Sequence, residues 1–342
     1  MQTKGLIALV VATVIVAAAA IALSLGGLRS VADAGSGQVV FANFATKIGD
    51  VAMLKIVGTG GTVTLQRQSQ GWTIGEKGGF PADPARIRQV LLGFAELKLV
   101  EPKTRSADSY PRLDVEDPGK EGGHARLVEV YDATGGKLGE LIVGKRRPDR
   151  LGSGADGLYI RRPGDAQAWL AQGSVDLPAE TKDWLDKKIV SIAPSRIRTV
   201  TLTHDDGTAL TLKRDKEDAK FAVEGVPADT KFKGDGAIAE PAGILDGLEL
   251  SDVRPLAEVQ FPTVGLSRAE WVTFDGLTIT AETFEKDGTN WVRLKASGSD
   301  KAADEAAEIT AKTARWAYAV YPYKTNAMKT KLADLVEAPK GS

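Results

Sequence analysis

An unbroken run from Leu6 to Leu25 carries no charge and is interrupted by polar groups only at Thr13 and Ser24. A helix in a soluble core is apolar on one face. A stretch of about 20 residues that is apolar all round matches instead the hydrocarbon thickness of a bilayer. The run therefore predicts a transmembrane helix. The free amino terminus and Lys4 precede it, and Arg29 and then Asp33 follow. This slight positive bias predicts a single-pass inner-membrane protein with a cytoplasmic N-terminus and the bulk of the chain in the periplasm or extracytoplasmic space. A secretory signal peptide is the competing reading, because Ala32-Asp33-Ala34 resembles a small-residue cleavage site. The run exceeds the roughly 7–15 residues of a signal core, which favours a retained anchor. Both readings export the same domain.

The chain as a whole has the composition of a folded protein, with 43% hydrophobic and 26% charged residues. Its 44 basic and 45 acidic residues give a formal net charge of −1 and are interspersed. Such a chain has no global field to attract nucleic acid, so nucleic-acid binding is not expected. The absence of cysteine excludes disulfides, thiol catalysis, cysteine-ligated zinc and a lipid-modified cysteine.

A weak internal repeat organises the exported part. Gly61-Thr62-Val63-Thr64-Leu65-Gln66-Arg67 resembles the stretch Gly207 to Arg214, and Phe80-Pro81-Ala82-Asp83 resembles Val226-Pro227-Ala228-Asp229. The spacing between the paired motifs agrees, with 81 − 61 = 20 and 227 − 207 = 20. Each copy continues through an apolar stretch, Leu91 to Leu99 in one and Ile244 to Leu250 in the other. The predicted organisation is an anchor over residues 1–28, a tether over 29–48, a first α+β module over 49–194 and a second over 195–342.

Within the first module, Val51 to Val57, Thr62 to Gln68 and Trp72 to Ile74 have strand composition between glycine-rich turns. Asp83 then suits an N-cap and Pro84 a first helical turn, with Ile87, Val90, Leu91, Phe94 and Leu97 on one helical face. Hairpin strands follow at Leu127 to Tyr131, Leu138 to Val143 and Leu158 to Arg161. The second module predicts strands at Ile197 to Thr203, Ala209 to Lys213, Phe221 to Val223, Trp271 to Phe274, Leu277 to Phe284 and Trp291 to Lys295. No regular strand-helix-strand rhythm appears, so both modules are predicted to be α+β with largely antiparallel sheets. In the tail, Ala302 to Thr313 reads as helix, Arg315 to Tyr323 as a strand broken by Pro322, and Met328 to Val336 as a terminal helix.

Chemistry is scarce in this pattern. Gly152-Ser153-Gly154-Ala155-Asp156-Gly157 matches the glycine spacing of dinucleotide-binding loops, but strand-like Leu158-Tyr159-Ile160-Arg161 follows where a helix is required. The two histidines, His124 and His204, lie in no paired-ligand motif. His204-Asp205-Asp206-Gly207 reads as a turn, and Asp114, Glu116 and Asp117 as a solvated acidic loop. The six tryptophans are spread through both modules, as core or interface packing requires. No catalytic residue, metal ligand or cofactor is assigned. One charged group stands out: Lys145, Arg146, Arg147 and Arg150 before the glycine loop, and Arg161 and Arg162 after the next strand. Paired strands would bring these to one end of the sheet, as a contact for phosphate headgroups or an acidic partner or as a solvated edge that resists aggregation.

The motifs Gly71-Trp72-Thr73-Ile74, Phe80-Pro81-Ala82-Asp83, Glu96-Leu97, Leu141-Ile142-Val143-Gly144-Lys145, Leu158-Tyr159-Ile160-Arg161-Arg162-Pro163-Gly164 and Asp183-Trp184-Leu185-Asp186-Lys187 occur in this order. In that order the chain resembles the bacterial family called domain of unknown function 4340, over most of residues 50 to 200 and weakly through the second copy. The resemblance implies an envelope protein, often encoded beside components of gliding-motility-type ABC transport systems, and transfers no catalytic residues. The second copy lacks an equivalent of Trp72. The expected function is thus a non-enzymatic, membrane-anchored accessory or scaffold whose partners are the membrane and ABC permease or ATPase subunits. A binding module for an envelope glycan, lipid or other anionic ligand is the alternative, and an uncharacterised hydrolase a further one.

Overall fold

The computed structural model describes residues 37–120, 122–148 and 156–337. The apolar run Leu6–Leu25, Arg150 and most of the glycine loop lie outside the described residues. Among the described residues no helix is long and apolar enough to cross a membrane. The chain divides into two compact units. The first runs to Glu76 and resumes over Pro81–Trp184; the second takes in Lys77–Phe80 and everything from Leu185.

The first unit is built on a nine-stranded sheet. Its strands are β1 (Val51–Gly58), β2 (Gly61–Gln68), β3 (Gly71–Ile74), β4 (Phe80–Pro81), β5 (Lys98–Thr104), β6 (Arg126–Asp132), β7 (Lys137–Arg147), β8 (Gly157–Arg161) and β9 (Ala168–Gln172). The order is β4-β3-β2-β1-β6-β7-β8-β9-β5, and the pairs from β3-β2 through to β9-β5 are antiparallel. Alternation decides which face is buried: Leu54 and Ile56 of β1 stand opposite Leu65 and Val63 of β2 and Val130 and Val128 of β6, and all six are buried.

Helix α2 (Pro84–Glu96) starts as its sequence predicts. The Asp83 carboxylate accepts from Ala85 N at 2.9 Å and Arg86 N at 3.3 Å, Pro84 occupies the first turn, and Ile87, Val90, Leu91 and Phe94 are buried. Burying four such side chains stabilises the unit by about 1.5–3 kcal/mol each. Gly93 permits the helix to approach the chain after β9, because a Cβ there would lie 2.4 Å from Ser174 O.

The tether does not extend to residue 48. Gly37 N donates to Leu99 O, Leu99 N to Gln38 O and Val40 N to Leu97 O, so residues 37–40 line the free edge of β5. A single helical turn, α1 (Phe44–Lys47), follows. Val40 and Phe44 are buried, and Phe41 stacks on Phe94 of α2 at 5.5 Å between ring centres. Apolar side chains at 40, 41 and 44 bind this stretch to the unit, where composition alone suggested a spacer. Strands β5 and β9 were also absent from the strand pattern; Pro102 and charged Lys98, Glu101 and Lys103 obscure the alternation of β5.

The second unit has the strands β10 (Lys188–Val190), β11 (Ile197–Thr203), β12 (Ala209–Lys213), β13 (Ala222–Val223), β14 (Leu248–Glu249), β15 (Asp252–Pro255), β16 (Ser267–Thr273), β17 (Leu277–Lys286), β18 (Thr289–Gly298) and β19 (Trp316–Ala319). Its helices are α3 (Asp235–Ala239), α4 (Ala303–Thr313), α5 (Pro322–Ala327) and α6 (Leu332–Leu335). Strands β10 and β14 form a ribbon, and the others form one sheet in the order β13-β12-β11-β16-β17-β18-β19-β15. Removing β4 from the first sheet leaves β3-β2-β1-β6-β7-β8-β9-β5, the same order position by position. The copies differ where helices are placed. The second has only α3 and a 3-10 turn in place of α2, and inserts α4 between β18 and β19 where the first makes a short turn. The tail is shorter in regular structure than its composition suggests: β19 stops at Ala319, Pro322 opens α5, and the last helix spans only Leu332–Leu335.

Both units are therefore α+β with mostly antiparallel sheets.

Candidate functional site

The register of β7 with β8 separates the basic residues that the sequence groups together. Arg161 stands opposite Ile142, whereas Arg146 stands opposite Leu158 and Arg147 opposite Gly157. Three to four residues of strand, about 10–13 Å, lie between the two sets, and they do not converge on one end of the sheet. An antiparallel pair brings together the last residues of one strand and the first of the next, and Arg161 is the last residue of β8.

Their environments differ as well. Lys145 donates to Arg112 O at 3.2 Å and lies 3.7 Å from Asp114. Arg146 donates to Ser174 Oγ at 2.9 Å and lies 3.6 Å from Asp156, and Arg147 is exposed. Arg161 is buried. It lies in register between Ile142 and Ala168 on the sheet face that also packs Tyr110 and Val115. Its Nε donates to Val115 O at 2.7 Å, one terminal nitrogen to Asp165 O at 3.1 Å and the other to the Asp117 carboxylate. Its guanidinium carbon stands 4.6 Å from the centre of the Tyr110 ring. This arginine ties the segment after β5 to the turn after β8 and is not a surface contact.

The acidic stretch is correspondingly not a solvated loop. Asp114 and Glu116 are buried, Asp117 alone of the three is exposed, and Glu116 Oε1 accepts from His124 N at 3.0 Å and Ala125 N at 3.5 Å. Gly144 of β7 admits this segment, since a Cβ there would lie 2.3 Å from Leu113 O. The His204 stretch is a turn: His204 N donates to Thr208 O, and the Asp206 carboxylate accepts from Thr208 N and Lys331 Nζ. Gly157 opens β8 and not a helix. Among the described residues no group of three or more histidine and acidic side chains is placed to hold a metal ion.

Arg162, with Arg161 beside it, borders a cavity of ligand size. Arg162 directly follows β8, and its guanidinium donates to Val40 O at 2.6 Å. The cavity measures about 450 Å³ and is lined by Gln38, Val40, Leu99, Ile160, Arg162 and Gln167, with Trp169, Asp165 and Arg161 completing it. Register explains the grouping, because Ile160 pairs with Trp169 and Leu99 with Ala171, two residues on from Trp169. Val40, Leu99, Ile160 and Trp169 supply apolar surface, while two arginines, two glutamines and Asp165 supply polar groups, a mixture that suits an amphiphilic ligand with the exposed Arg162 as its anion contact. Leu99, Gln167, Gln38 and Trp169 could not be grouped from sequence, since β5 and β9 are unsequential neighbours and residues 37–40 were assigned to the tether.

No curated protein and no solved structure matches this chain. A family described as a domain of unknown function (DUF4340) matches residues 72–258, a span that holds α2, the Arg161 clasp and the first half of the second unit. By that match over more than half of its length, the chain belongs to the DUF4340 family.

Proposed function

We propose that this protein is a non-enzymatic accessory or scaffolding component of an ABC-type transport system, anchored in the bacterial inner membrane through Leu6–Leu25 with its folded units on the extracytoplasmic side. The observation that carries this reading is the short distance in sequence between anchor and fold. Residue 25 ends the apolar run and residue 37 already pairs with β5, a separation of 37 − 25 = 12 residues. Twelve residues reach at most about 40 Å. A domain on such a leash works at the membrane surface, where a permease would meet it. In the same reading the two units arose by duplication, which their shared strand order supports.

The test is crosslinking in cells, followed by gentle solubilisation and mass spectrometry of what accompanies the tagged full-length protein. Permease or ATPase subunits are expected, and their loss on deletion of residues 37–342 would assign the contact to the folded units. Recovery of the protein alone would overturn the reading.

A second reading is favoured by the cavity beside Arg162: a module that binds an anionic envelope amphiphile. Arg162→Gln should then abolish retention of such a ligand, whereas Arg147→Gln should not.

A further inference from the structure

The first unit has another cavity, of about 130 Å³, at the end of the β1-β2 hairpin. No sequence motif points to it. Gly58, Thr59, Gly60, His124 and Arg126 are in its lining. The buried face that carries Ile56, Val63 and Val128 continues, one alternation further, to Gly58 and Arg126. Gly58 leaves room for the arginine to cross the hairpin: a Cβ at this position would touch Arg126 Cγ at 3.5 Å.

Arg126 is a half-buried cation, and burial pulls its pKa below the usual arginine value. The acid that acts on it electrostatically is Asp176. That carboxylate, however, stands 3.6 Å from Arg86. Among the described residues no acceptor is hydrogen-bonded to the Arg126 guanidinium. A guanidinium offers five N–H donors in a planar fork, and one that is partly removed from water without an acceptor is stabilised by any anion that reaches it. The Thr59 hydroxyl, on the exposed hairpin turn, donates to Gly123 O over a long 3.2 Å and can rotate its proton to an arriving oxyanion, and the exposed imidazole of His124 borders the same space.

We propose that this cavity is a binding site for a phosphate-type oxyanion, with Arg126 as the bidentate donor and Thr59 and His124 as the flanking polar groups. Its volume suits a phosphate group and not a nucleotide. The group can arrive as free inorganic phosphate or as the exposed phosphate of a lipid headgroup. The inference stands apart from the accessory role and from the Arg162 cavity.

The chain has only two histidines, which makes imidazole resonances a direct reporter. Full-length protein in detergent, free of phosphate, is titrated with inorganic phosphate and, separately, with dihexanoyl phosphatidylglycerol, while the imidazole signals are followed by NMR. Saturable movement of His124 with His204 unmoved is expected. Arg126→Gln should weaken phosphate binding at least tenfold and Arg162→Gln should leave it unchanged. Should Arg126→Gln fail to fold, Thr59→Val is expected to weaken binding severalfold. Competition between the lipid and inorganic phosphate at His124 supports the site with a headgroup source; a response to inorganic phosphate only supports it with the free ion. An unresponsive or unsaturable His124, or Arg126→Gln binding phosphate as the wild type does, would overturn the proposal.

Discussion

The guanidinium of Arg161 lies over the ring of Tyr110, 4.6 Å from its centre, and the Tyr110 hydroxyl in turn donates to Ala166 O at 2.6 Å. The two side chains cross-brace the segment 110–117 and the turn 162–167, which flank β8 from opposite directions along the chain. A charge so enclosed stabilises only while all its acceptors are in place.

Arg161→Ala is therefore expected to destabilise the first unit by about 1–3 kcal/mol, the cost of leaving a buried acceptor such as Val115 O without its donor, since the Asp117 carboxylate is exposed and can return to water. Arg161→Lys should recover little, because an ammonium cannot serve Val115 O, Asp165 O and Asp117 in one plane. Denaturant midpoints of the two variants check this, and near-complete rescue by lysine would show that charge matters here more than the planar fork.

In the second unit, Arg196 grips Glu305 through two bonds of 2.9 and 2.6 Å and Asp275 through one of 2.7 Å. The Arg196 bond holds the Glu305 carboxyl below its ordinary value; the Thr273 hydroxyl and then Arg196 do the same for Asp275. Both groups bind protons less readily when folded than unfolded, so their stabilisation is complete above the unfolded carboxylate range of about 4 and is lost as pH falls through the lower folded values. Thermal unfolding between pH 5 and pH 2, as proposed experimental settings bracketing about 4, should show a shallower acid loss in Glu305→Gln than in the wild type. Equal slopes would remove this clasp as a source of acid sensitivity.

A chain that begins at Gly37 should retain the first unit, and one that begins at Gly49 should not. The shorter chain loses buried Val40 and Phe44, about 1.5–3 kcal/mol each, as well as the backbone bonds along β5. Circular dichroism and the cooperativity of unfolding distinguish the two. Equal stability would restore residues 37–48 to the status of a spacer.

Gly93→Ala should destabilise by about 1–3 kcal/mol, since the added methyl group meets Ser174 O at 2.4 Å. Helix propensity alone predicts a gain of about 1 kcal/mol from the same change. The sign of the shift in melting temperature thus separates the close approach from intrinsic helix preference.

Local signals carried the elements whose chemistry is local. Asp83 and Pro84 with the spacing of Ile87, Val90, Leu91 and Phe94 announced α2, Asp205-Asp206-Gly207 announced the β11-β12 turn, and the paired motifs around Gly61 and Gly207 pointed to two similar units. The α+β class follows from the same information, because period-2 alternation and helix capping depend on neighbours in the chain. What belongs to tertiary structure alone is the pairing of distant segments. β9 meets β5 across more than sixty residues (168 − 104 = 64), and this contact, with β8 and residues 37–40, brings together the lining of the cavity beside Arg162. Register, which no composition reveals, set Arg161 opposite Ile142 and Ala168 with its guanidinium over the Tyr110 ring, while its neighbour Arg162 reaches Val40 O. Among the described residues Arg126 is left half-buried without a bonded acceptor, because the Asp176 carboxylate that acts on it stands 3.6 Å from Arg86. Runs of charge in a sequence state which residues are available; a strand's two-sided geometry and the long-range choice of partners decide which of them remain to bind anything.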